Sequence, residues 1–180
     1  MITQRGQSLA SQMESKVVDW RLALECLQSS NIFEQGVAFE VFTGEPRDEV
    51  VPKVPESTDV PVLLFDYLLK CIEEDVSPEQ EEQYEGYVHD KGGAFLALRV
   101  PLDPAWKKFN RELTEERYFG RLADFLKKHS SQYQKEVPTH VFEAWSPRQK
   151  PFSKIMKSWK SDALLKAYVE DLEEIFQMTF

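Results

Sequence analysis

From residue 8 to residue 29 the apolar side chains Leu9, Met13, Val17, Trp20, Leu24 and Leu27 recur at steps of four and three. That spacing places all six on one stripe and predicts a single helix, about 33 Å long at ~1.5 Å per residue. Asn31 and Gly36 mark its exit. In GVAFEVFTG, residues 36–44, Val37, Phe39 and Val41 alternate with Ala38, Glu40 and Phe42, a strand pattern with one polar interruption. Residues 45–59 carry three prolines and read as an ordered loop or sheet edge, because proline cannot donate to a sheet ladder. Asp59 and Pro61 then open a helix through VLLFDYLLKCIEE, apolar almost all round and therefore buried.

Ser77, Pro78, Glu79 and Gln80 form a capping-box sequence and predict a short acidic helix after it. Gly92 and Gly93 break the chain before AFLALRVPL, residues 94–102, which reads as a second strand. Asp103 and Pro104 start a short helix with Trp106 and Phe109. Thr114 starts a longer one, with the stripe Tyr118, Phe119, Leu122, Phe125 and Leu126 and a basic last turn at Lys127, Lys128 and His129. THVFEAW, residues 139–145, is a third strand candidate. The last helix spans roughly residues 161–177, with Leu164, Leu165, Tyr168, Leu172, Ile175 and Phe176 facing inward. This order predicts an α+β fold: a small antiparallel or mixed sheet of three to five strands packed against several helices, in a single domain over residues 1–180.

Composition agrees with a packed domain. Of 180 residues, 42% are hydrophobic and 29% charged, too apolar a balance for wholesale disorder. No repeat is visible, and no phosphate-binding glycine loop. Cys26 and Cys71 match no disulfide framework or metal spacing and read as buried small hydrophobes in a reducing compartment. The N-terminal stretch lacks the apolar core of a signal peptide, and the longest apolar run is far short of the ~20 residues of a membrane span. These features give the expectation of a cytoplasmic protein with no membrane partner.

Candidate chemistry is sparse. His89, His129 and His140 stand far apart and in no metal-binding spacing. There is no strand–nucleophile–helix elbow. A Cys71 thiolate paired with His89 or His140 is disfavoured, because acids follow Cys71 and raise a thiol's pKa. No catalytic residue, metal ligand or cofactor is assigned.

Charge gives the sharper signal. Residues 1–104 carry a net −12, residues 105–160 a net +7 and residues 161–180 a net −4. Residues 71–90 hold eight carboxylates and no lysine or arginine. Like charges at 79, 82 and 85 would repel along a helix, so local stability alone does not explain the cluster. The expectation is a non-enzymatic interaction module (adaptor, inhibitor, immunity-type antagonist or secretion chaperone). It would engage a basic protein partner through Glu73, Glu74, Asp75, Glu79, Glu81, Glu82 and Glu85. The opposite pole is SPRQKPFSKIMKSWK, residues 146–160, where Lys150, Lys154 and Lys157 would share one helix face and Phe152, Ile155, Met156 and Trp159 the other. These bases could fold back on the acidic segment, meet an acidic partner, or only keep a loop soluble. The partner could be another protein, a second copy of the chain or nucleic acid. The nucleic-acid alternative uses Arg148, Lys150, Lys154, Lys157 and Lys160 with Trp159 as a stacker. A small enzyme of unidentified reaction class is the other alternative.

Overall fold

The computed structural model describes residues 1–102, 106, 109, 111–133, 150–177 and 179. They fall into two compact units, Met1–Pro101 and Leu102–Phe180. Among the described residues there are helices and no strands, which corrects the expected α+β fold to an all-helical one.

The first unit begins with α1 (Gln4–Glu14) and α2 (Trp20–Leu27), where the apolar spacing had predicted one continuous helix. Lys16 breaks it. It adopts a left-handed φ of 57°, while the Lys16 amide donates to the Met13 carbonyl and the Val17 amide to the Gln12 carbonyl. This pair of bonds closes a helix C-terminus on its own last turn. Val17, which fits the stripe numerically, is 75% exposed in the turn. Asp19 caps α2, accepting from the Arg21 amide.

The first predicted strand is α3 (Ile32–Thr43). Asn31, taken from the pattern as a helix exit, is its N-cap, and its side chain accepts from the amides of Phe33 and Glu34. Nearly every residue of α3 is buried, so both parities of its sequence are apolar and alternation could not reveal the helical period. The second predicted strand is α7 (Lys91–Ala97) followed by a 3-10 turn at Val100–Leu102. Asp90 caps α7 by accepting from the Gly93 amide at 2.6 Å, so the two glycines lie in a first helical turn. The third strand candidate, residues 139–145, lies outside the described residues.

Short α4 (Arg47–Val50) and a 3-10 turn (Val51–Lys53) lead to α5 (Val60–Glu73), which is buried on most of its circumference as its sequence requires. Asp59 stands at its N-cap position without a side-chain capping bond. In α6 (Pro78–Gln83) the capping box is complete, with the Gln80 amide donating to the Ser77 hydroxyl and the Ser77 amide to the Gln80 side chain. Within the unit, α3 packs against α1, α2, α4 and α5, and α5 also packs against α2 and α7.

The second unit contains α8 (Arg111–Tyr133), α9 (Lys150–Lys160) and α10 (Lys166–Phe176). The α8 stripe Tyr118, Phe119, Leu122, Phe125 and Leu126 is buried as expected. His129 departs from helical geometry and kinks α8. In α10, Tyr168 and Leu172 face inward, whereas Ile175, and Leu164 just before the helix, are about half exposed.

Candidate functional site

The acidic segment is built on the end of α5 and on α6. Glu73, Glu74, Asp75, Glu79, Glu82 and Glu85 are exposed, and Glu81 is half-buried. Two of them meet nearby lysines: Asp75 lies 3.0 Å from Lys91, and Glu74 lies 4.0 Å from Lys70. Glu79 and Glu81 occupy the first turn of α6, where the helix dipole favours a carboxylate. The Ser77 hydroxyl and the Glu79 amide hold the Glu79 carboxyl below its usual value. Glu85 is beyond the end of α6 and does not continue the helical row expected for residues 79, 82 and 85. Asp75 and Glu85 both take left-handed backbone conformations, with φ of 52° and 58°. Each is the residue that closes its helix, as the amide bonds of Asp75 to Ile72, Val76 to Cys71, Glu85 to Glu82 and Gly86 to Glu81 attest.

A buried hydroxyl fixes this segment to the core. Tyr67, on α5, is fully buried, and its oxygen lies 3.0 Å from the His89 amide that donates to it, 3.1 Å from His89 Nδ1 and 3.3 Å from the Tyr87 carbonyl. The His89 ring stands edge-on to Phe39 at 4.8 Å. Burial lowers the pKa of His89, partly offset by Asp90. Burial raises Cys71 to about 12 and Cys26 to about 11. The Cys71 thiol is therefore protonated at neutral pH, and this cluster reads as packing chemistry rather than nucleophilic chemistry.

The basic pole lies in the second unit. Lys154 and Lys157 are exposed on α9, while Lys160 is bound to Glu173 at 2.6 Å. Met156 and Trp159 are buried, and Trp159 packs edge-on to Phe119 at 6.1 Å. At 6% exposure, Trp159 offers no free face for stacking a base. Lys150 lies in the first turn of α9; Arg148 and His140 lie outside the described residues.

A cleft of about 570 Å³ opens where the end of α1, the end of α3 and α4 converge. Met13, Val18, Pro46 and Val50 supply apolar wall; Glu40, Glu45, Glu49 and Lys16 supply charge. Glu40 is half-buried, its carboxylate has no hydrogen bond or ion pair among the described residues, and burial raises its pKa. Among the described residues no three histidine, cysteine or acidic side chains come together as a metal-binding group. No described helix is long and apolar enough to cross a membrane.

No family model matches the chain, and no curated protein or solved structure matches it either.

Proposed function

We propose that the first unit is a protein-interaction module that engages a basic partner through its acidic surface, in the manner of an adaptor, inhibitor, antagonist or secretion chaperone. The observation that carries this reading is the state of the carboxylates on and after α6. Glu79, Glu81, Glu82 and Glu85 have no ion-pair partner among the described residues. Two related features support it. Residues 1–101 hold nineteen acids and eight bases, so the unit bears a net −11, against a net +2 for residues 102–180. Acids also occupy two left-handed positions, 75 and 85, at which glycine is conformationally less costly. A negative field of this kind speeds encounter with a cationic surface over roughly the ~8 Å screening length.

The test is stopped-flow association with a fluorescein-labelled peptide of alternating lysine and leucine, at several salt concentrations. The triple variant Glu79→Lys, Glu82→Lys and Glu85→Lys is compared with Glu14→Lys, Glu25→Lys and Glu56→Lys, which changes the net charge equally at exposed positions elsewhere in the unit. The α6 variant is expected to associate at least about tenfold more slowly and with a flatter salt dependence. Equal kinetics for the two variants would remove the reading.

A further inference from the structure

We infer that the cleft between α1, α3 and α4 is the seat for one basic side chain of the partner, an arginine or lysine flanked by apolar residues. The inference rests on the reading of the first unit as a module for basic partners and names the place where specificity would reside. At about 570 Å³ the cleft is within the size range of binding pockets, and its lining sets four apolar side chains beside four charged ones.

Its charge selects the occupant. Three carboxylates face one lysine. Lys16 is exposed at the rim, whereas Glu40 is withdrawn from solvent and has no cation among the described residues to neutralise it. A desolvated carboxylate without a partner is costly, and an incoming cation removes that cost. An ammonium or guanidinium head on an aliphatic stem matches both surfaces: the stem lies along Met13, Val18 and Val50, and the head meets Glu40. Guanidinium forks bind carboxylates with two parallel hydrogen bonds, which makes arginine the stronger occupant. A metal ion fits less well, since these acids do not gather into a coordinating group.

The test uses the full chain labelled with ¹⁵N and the tripeptide acetyl-Leu-Arg-Leu-amide as the probe, followed by amide chemical shifts. The neutral peptide with glutamine in place of arginine is the control. Shifts are expected at residues 13–18 and 40–50 with the arginine peptide and not with the control. Glu40→Gln, nearly isosteric, should weaken binding at least about tenfold, as loss of a charged hydrogen-bond partner does. Glu49→Gln, at an exposed position, gives a second variant that leaves the packing of α3 alone and should weaken binding in the same direction. The variant Glu79→Lys, Glu82→Lys and Glu85→Lys should keep the shifts at residues 13–18 and 40–50 and weaken the tripeptide's binding less than Glu40→Gln does. Shifts confined to residues 77–86 and lost in that triple variant would overturn the cleft as the seat while sparing the reading of the acidic surface. Equal shifts with both peptides, or none, would overturn the cleft as well.

Discussion

Among the glycines of the first unit Gly36 has the least room for a side chain, and replacing it with alanine tests how that unit is held together. A Cβ at this position would stand 2.2 Å from the Tyr87 carbonyl oxygen, 2.9 Å from its carbon and 3.1 Å from the Tyr67 hydroxyl. The first two are backbone atoms, so no side-chain rotation relieves the clash. The segment carrying Tyr87 would have to withdraw by more than 1 Å to reach ordinary contact. That movement stretches the bonds from Tyr67 to Tyr87 and His89. Overpacking costs about 1–3 kcal/mol and a disturbed buried hydroxyl about 1–3 kcal/mol, while the better helix former returns about 0.5–1 kcal/mol. The net expectation for Gly36→Ala is a loss of about 1–5 kcal/mol, centred on ~3 kcal/mol, which corresponds to roughly 6–12 °C in Tm. Gly120 provides the contrast: it is helical and exposed, and a Cβ there meets nothing within 4 Å. Gly120→Ala should therefore stabilise by about 0.5–1 kcal/mol. Thermal melts followed by circular dichroism measure both, and hydrogen exchange of residues 32–43 and 84–90 locates the loss in Gly36→Ala. The reasoning fails if Gly36→Ala melts at or above the wild-type temperature.

Three further outcomes are expected. Glu34 is 3% exposed and accepts from the Thr3 hydroxyl at 2.6 Å and from Arg5; burial pushes its pKa up, but hydrogen bonds from Arg5, Ser29 and Thr3 outweigh this and leave it lowered. Glu34→Ala should cost about 1–3 kcal/mol in urea titration, with faster hydrogen exchange in α1. For His89, the unfolded chain takes up its proton near pH 6.5 and the folded chain at lower pH, so stability falls as pH drops below about 6.5. His89→Asn, which keeps an acceptor near Nδ1, should flatten this part of the profile in paired urea titrations at pH 5 and pH 7.5. Cys26 and Cys71 are fully buried with raised pKa values, so a thiol reagent at pH 8 should label neither in the native protein and both in urea.

Elements with strong local signals were legible in the sequence. The Ser77–Gln80 capping box, the buried circumference of α5 and the inward stripe of α8 depend on residues within a few positions of one another. The predicted strands failed for a physical reason. The α3 sequence is buried on both parities, so it lacks the polar face that would give a helix its period. The Asn31 and Asp90 caps were the overlooked signals, each a side chain able to accept from an amide two or three residues on. The break between α1 and α2 was hidden because Lys16 takes a conformation usually given to glycine. The acidic segment was visible as composition. The cleft was not, because Met13, Glu40 and Glu49 become neighbours only after three helices pack.

The Tyr67 hydroxyl ties the backbone of residues 87 and 89 to a buried helix, and this makes it a strain gauge for the segment it anchors. Only residues 84–86 separate the end of α6 from this anchored backbone, so a partner that holds α6 should also hold the Tyr67 bonds. The exchange lifetime of the His89 amide should lengthen whenever something clamps that face, which offers a native, label-free reporter of occupancy.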